Sequence, residues 1–208
     1  MNHSGTLYKA NMMVRYLTVL TLITIVIVSA PLSADNGDVP IELQAKLLLT
    51  ALTYNNKLKE GEDKMLGIGC VYFPEIPQSK EQAVSFQNAC MKFENNTVQG
   101  HTIKTVLIPY NGNDDFKSKL SEHCLEVLYV ANRTKELCQE ITQVTRAKKI
   151  LSFTSAVDLV ADCGLSMAVG LTDNKPKIYL NRASAQLEGA EFSAKFLRIA
   201  ELVGEERK

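Results

Sequence analysis

The chain has 208 residues, 46% of them hydrophobic, and balances 23 lysines and arginines against 23 aspartates and glutamates. Both signs are scattered and no basic stripe could neutralise phosphates, which argues against nucleic acid as a partner. No repeat, Gly/Ser linker or low-complexity tract divides it.

Lys9 and Arg15 are the only charged side chains before Asp35. A predominantly apolar run from Tyr16 to Val28 follows, then Ser29-Ala30-Pro31-Leu32-Ser33-Ala34. That pattern predicts a signal peptide over residues 1–34, cleaved after Ala34, and export. The apolar run is short for a membrane span, which needs roughly 20 residues. An uncleaved anchor is the competing reading, because the lead-in to Arg15 is long. Translation from Met12 or Met13 instead of Met1 would shorten that lead-in to an ordinary one. Residues 35–208 then suffice for a single α/β domain with one core.

The first helix is expected from Asp38-Val39-Pro40-Ile41, with Asp38 as cap and Leu43, Leu47, Ala51 and Tyr54 on its buried face, widened by Leu48 and Leu52. Lys59 to Lys64 is a solvated charge run. Leu66 to Phe73 is continuously apolar and predicts a central strand covered on both faces. Ser79 is expected to cap a helix whose apolar face is Ala83, Phe86, Cys90 and Phe93. Strands over Thr102–Ile108, Leu125–Val130 and Lys149–Phe153 alternate with a short helix over Asp115–Leu120 and a longer one marked by Leu137, Ile141 and Val144. Beyond an acidic turn around Asp158 and Asp162, Cys163–Leu171 and Lys177–Asn181 read as a hairpin joined by the turn Thr172–Pro176. Phe192, Phe196, Ile199 and Val203, with Leu197 and Ala200, recur at helical spacing and predict a closing helix. Asn181 is either a cap for the next helical turn or an ordinary turn residue. The whole reads as a three-layer α/β sandwich: a mostly parallel sheet, a C-terminal antiparallel hairpin and a closing helix.

Catalytic and metal constellations do not emerge. Gly67-x-Gly69 lies inside a strand and lacks the third glycine of a dinucleotide loop, so small residues near a crossing helix explain it better. His101 and His123 have no partners at triad or zinc spacing and read as surface residues at strand entrances. Ser166 and Ser193 lack a nucleophile elbow. Five cysteines remain in a chain expected to meet oxidising conditions. Two pairings are open: Cys70 with Cys90, from a strand and the helix after it, and Cys124 with Cys163, each opening a strand. Against both, buried cysteine packs well as a small hydrophobe.

Several segments together resemble the YfiR/HmsC-like family of small periplasmic proteins. They are Val127-Leu128-Tyr129-Val130, Ile150-Leu151-Ser152-Phe153-Thr154-Ser155, Gly164 opening the next strand, Lys177-Ile178-Tyr179-Leu180-Asn181, and the ending Gly189 to Ala200. With Ile41–Tyr54 as the family's first helix, the resemblance spans the mature domain. One departure is plain: many members carry Trp-Pro after that helix, and this chain reads Tyr54-Asn55-Asn56-Lys57-Leu58. The resemblance implies a non-enzymatic regulator without cofactor or metal. Its partner would be the periplasmic sensor domain of an inner-membrane signalling protein, a diguanylate cyclase above all, whose cyclic-di-GMP output and biofilm effect it restrains. It would meet the membrane only through that partner, and a homodimer is compatible with the role. The contact surface is expected around the loops Tyr72–Pro77 and Pro109–Phe116, which place Tyr72, Phe73, Ile76, Tyr110 and Phe116 among turn residues. Two other readings are a small-ligand-binding protein using the crevice at the carboxyl ends of the parallel strands, and an accessory subunit of an envelope sensor kinase or receptor.

Overall fold

Strand β1 (Met65–Tyr72) is buried from Leu66 to Val71, as its apolar run requires: with no polar face to offer water, it must lie inside a covered sheet. β1 pairs in parallel with β3 (His101–Pro109) on one side and with β4 (Val127–Val130) on the other. β5 (Leu151–Thr154) and β6 (Met167–Thr172) extend the parallel array. Beyond them come the antiparallel β7 (Lys175–Leu180) and then β8 (Glu201–Leu202), parallel to β7, while the short β2 (Thr97–Val98) runs antiparallel along β3. Among the described residues these make one eight-stranded sheet in the order β2-β3-β1-β4-β5-β6-β7-β8.

The computed structural model describes residues 39–58, 65–131 and 135–204. The expected signal segment 1–34, the cap Asp38 and the charge run Lys59–Lys64 lie outside the described residues.

Helices α1 (Ile41–Leu52) and α2 (Pro77–Met91) pack on one face, where Leu48, Leu49, Phe86, Ile68, Tyr129 and Phe153 join one core. Helices α3 (Asn113–Glu122), α4 (Lys135–Lys148) and α5 (Val157–Asp162) cover the other, where Phe73, Phe116, Leu128, Ile141 and Val160 join a second. The two-residue alternation along β1 and into the residue after it divides the side chains, Ile68 and Cys70 to the first core and Val71 and Phe73 to the second. The three-layer α/β architecture with a mostly parallel sheet therefore stands.

Local expectations fare less evenly. The buried stripe of α1 is Gln44, Ala45, Leu48, Leu49, Ala51 and Leu52, so Leu43 and Leu47 sit at its margin. α2 begins at Pro77, not at Ser79, whose buried hydroxyl accepts from the Phe73 N–H at 2.8 Å and ties the strand end to the helix. The stretch around Asp158 and Asp162 is a helix, not a turn. The hairpin turn is only Asp173-Asn174, both in the left-handed region at φ 50° and 58°, so Lys175 and Pro176 already belong to β7. That backbone suits a two-residue primed turn, which Asp and Asn tolerate.

The largest difference is the closing helix. After α6 (Arg182–Leu187), the chain forms a single turn, α7 (Ala194–Leu197), and then leaves it to pair with β7. Val203 N–H donates to Leu180 O at 3.0 Å. An unpaired strand edge is a liability, and covering the end of β7 satisfies groups that a longer helix would have left open.

Asn181 is a cap. Its Oδ1 accepts from Ser184 N–H at 3.0 Å, and its Nδ2 reaches Val160 O at 3.3 Å. Asn181→Ala should cost about 1–2 kcal/mol, and Asn181→Ser should recover part of that in urea melts; equal losses would show that the cap contributes nothing.

Candidate functional site

The loops expected to present aromatic side chains mostly bury them. Phe73 and Phe116 are fully buried and Tyr110 nearly so. The three form a cluster, with ring centroids 5.6 Å apart for Phe73–Tyr110 and 5.3 Å for Tyr110–Phe116. They are core, because the continuous apolar strand needs such a lid at its end. Tyr110 also donates to Glu140 Oε2 at 2.5 Å; burial first, then that carboxylate, pushes its phenol pKa well up. Tyr72 and Ile76 stay half exposed, with Lys80 Nζ 5.6 Å from the Tyr72 ring centroid. Of the five nominated residues, only these two could meet a partner.

The carboxyl ends of β1 and β4 are tied to the segments that follow them. Ala131 N–H bonds Val71 O at 3.2 Å, Ser79 seals the end of β1, and Gln82 Nε2 donates to Ser155 Oγ at 3.1 Å. Two adjoining clefts open at the opposite, amino-terminal edge. One, of about 310 Å³, is bounded by Leu52, Leu58, Leu66, Glu126, Lys149 and Glu188. The other, of about 270 Å³, adjoins it through Lys57, Gly189 and Ala190 and continues to Arg182 and Phe192. This edge also carries the segment Tyr54-Asn55-Asn56-Lys57-Leu58 after the first helix. Asn56 N–H bonds Glu191 O at 2.7 Å, Ser193 N–H bonds Tyr54 O at 2.9 Å, and Lys57 pairs with Glu191 at 3.3 Å. The segment after the first helix is thus engaged by the chain's own residues.

Two acids here were not singled out from the sequence. Glu126 Oε2 accepts the Gly67 N–H at 2.6 Å, and burial raises its pKa against that bond and the nearby His101. Glu188, buried, accepts from Thr145, Ser152 and Ser166 and is likewise raised by burial. Nothing in the sequence marks Glu188, since an acid just before a glycine reads as a surface turn.

His123 is exposed as expected, but His101 is buried, at 4% exposure, where β3 meets the β2 hairpin. Gly67 of β1 is crowded by the segment entering β4, and Gly69 by side chains of β3 and β4, not by a helix: a Cβ on Gly67 would stand 1.9 Å from Cys124 O. Cys70 and Cys90 do come together in the first core, and burial pushes the Cys90 thiol up to about 12 and Cys70 further still. Both are therefore protonated, weakly reactive thiols. Cys124 and Cys163 do not meet; Cys124 is exposed before β4, Cys163 buried after α5, and β5 runs between the strands they precede. All five sulfurs are thiols in the structure. Among the described residues no three His, Cys, Asp or Glu side chains converge as a metal site, and no helix is long and apolar enough to cross a membrane.

The fold recurs in solved structures. A conserved domain protein from Vibrio cholerae aligns with TM-score 0.56 and 14% identity, over 79% of this chain and 60% of its own. The ABC domain in complex with L-Trp from Streptococcus pneumonia gives 0.54 and 16%, over 79% and 62%. A ligand-free, open substrate binding protein with adhesive properties from Clostridium difficile gives 0.57 and 14%, over 81% and 61%. The chain spans about three fifths of each, and at these identities the likeness shows the fold alone. No curated protein matches the sequence. Residues 73–201 match the YfiR/HmsC-like family, leaving out α1 and β1. With more than half of its length matched, from the end of the central strand to the edge strand β8, the chain belongs to the YfiR/HmsC-like family.

Proposed function

We propose that the protein is a non-enzymatic periplasmic regulator that binds the sensor domain of an inner-membrane signalling protein and represses it, the diguanylate cyclases of cyclic-di-GMP control being the class favoured. Family membership carries this reading. A binder of this kind works by mass action: it shifts its receptor between states by no more than its differential affinity for them. Export by a cleaved signal over residues 1–34 would bring it to that partner. Tyr72 and Ile76, half exposed beside the cation of Lys80, give an apolar contact with a polar rim, as interfaces require.

The test pairs affinity capture from envelope extracts with cyclic-di-GMP measured in a deletion strain. The expected outcome is capture of an inner-membrane protein with a cyclase domain and raised cyclic-di-GMP in the deletion. Replacing Tyr72 and Ile76 together by serine should weaken capture at least about tenfold. Unchanged cyclic-di-GMP with no membrane-protein partner would put a second reading ahead: a small-ligand-binding protein, favoured by the two adjoining clefts at the amino-terminal edge. Capture of a sensor kinase or an outer-membrane receptor would make it an accessory subunit of that system.

A further inference from the structure

Glu188 is 1% exposed, the one acidic side chain among the described residues that is fully buried. Its two oxygens are not equivalent. Oε2 accepts from Ser152 N–H at 2.7 Å, from Ser152 Oγ at 2.9 Å, and from Ser166 Oγ. Oε1 faces only a hydroxyl, Thr145 Oγ1, at 2.5 Å. That hydroxyl also lies 3.1 Å from Thr142 O. It has one proton for two acceptors. If Oε1 carries a proton of its own, Glu188 donates to Thr145 Oγ1, Thr145 donates to Thr142 O, and every contact is satisfied. If Glu188 is a carboxylate, the Thr145 proton turns to it and the contact to Thr142 O is lost.

Among the described residues no cation is hydrogen-bonded to either Glu188 oxygen. On α4, Arg146 Nη2 is held by Gly164 O at 3.2 Å and Ser184 Oγ at 3.0 Å, and just beyond that helix Lys149 Nζ donates to Leu187 O at 2.8 Å. Lys57, after α1, pairs with Glu191. Glu126, from the approach to β4, adds a second acid to the shared cleft, and Arg182 of α6 lines the neighbouring one. A buried charge with no partner is costly.

We propose that Glu188 is held as the neutral acid in the folded protein, making the joint of α4, β5, β6 and α6 a proton-dependent latch that tightens in acid and loosens as pH rises. Burial raises its pKa above the ordinary carboxylate range, against the hydrogen bonds it accepts. The unfolded chain gives up this proton at lower pH than the folded one. The stabilisation is therefore complete below the ordinary carboxylate range and is lost as pH rises through the pKa of Glu188 in the fold. Between those limits the folding constant falls by up to about tenfold per pH unit. Gly189 and Ala190, next in the chain, line both clefts, so release of the latch would open the amino-terminal edge first.

The experiment measures the stability of the mature chain by urea melts from about pH 4 to 8, for wild type, Glu188→Gln and Glu126→Gln. A glutamine amide can donate to Thr145 and accept the three bonds of Oε2. Glu188→Gln is expected to match wild type in acid, to exceed it at neutral pH, and to remove part of the fall with pH, while Glu126→Gln, at the other acid of the cleft, keeps the fall due to Glu188. Carbon-13 NMR of glutamate-labelled Glu126→Gln should still show a side-chain carboxyl protonated above the ordinary carboxylate range. A Glu188→Gln chain weaker than wild type at neutral pH, or a spectrum in which every glutamate ionises in the ordinary range, would overturn the proposal. If that variant does not fold, the spectrum of Glu126→Gln alone decides.

Discussion

Truncating Phe196 to alanine is expected to lower the stability of the domain by about 3–5 kcal/mol, while Ile199→Ala changes it by less than about 0.5 kcal/mol. Phe196 is 1% exposed and stacks on Tyr54 at 5.8 Å and against Phe192 at 4.7 Å between ring centroids. Removing its ring leaves a cavity among side chains that are themselves fixed. Tyr54 and Asn55 are held by the 191–193 segment, Asn55 Oδ1 accepting from Glu191 N–H at 3.0 Å, so the site cannot easily collapse. Ile199 is 62% exposed and has little transfer energy to lose. Leu197, half buried, should fall between them. Urea melts of the three variants check this order, and a cost at Ile199 equal to that at Phe196 would restore a buried helix through residue 203.

That contrast shows what the sequence carried. Phe192, Phe196, Ile199 and Val203 satisfy a helical period, but a period says only which residues share a face if the helix forms. Here a single turn anchors Phe196 and the chain then returns to the sheet, a choice set by the free edge of β7, which no local pattern encodes. The central strand was legible because six consecutive buried residues leave no other place for it. The short α5 and the two-residue strands β2 and β8 were not, since elements of that length are stabilised by tertiary contacts and carry little propensity of their own. The site was less legible still. Phe73, Tyr110 and Phe116 looked like loop aromatics because they flank prolines and glycines, yet they are the lid of the second core. Glu188 was not singled out because its three hydroxyl partners come from residues 145, 152 and 166, brought together only by the fold.

Gly67→Ala is expected to destabilise the domain by about 3 kcal/mol or more, and Gly69→Ala, two residues along the same strand, by clearly less. The two glycines look alike in sequence and are both buried, but they face different obstacles. A Cβ on Gly67 would lie 1.9 Å from Cys124 O and 3.1 Å from Leu125 Cα, which are backbone atoms. To admit it, the segment entering β4 must move, and that segment is tied to Gly67 on both sides: Gly67 N–H donates to Glu126 Oε2 at 2.6 Å, and Glu126 N–H donates to Gly67 O at 3.0 Å. A methyl group therefore threatens two hydrogen bonds as well as the packing. At Gly69 the nearest atoms are side-chain methyls, Ile108 Cδ1 and Leu128 Cδ1 at 2.8 Å and Leu125 Cδ1 at 3.0 Å, which can rotate away at the cost of imperfect packing. Urea melts of both variants give the comparison directly, with Cys124 reactivity toward a thiol reagent as an independent reading, since displacement of its backbone should change how fast that exposed thiol reacts. Equal costs for the two substitutions, with unchanged Cys124 reactivity in Gly67→Ala, would mean that the β4 entry segment moves freely and does not fix the amino-terminal edge of the sheet.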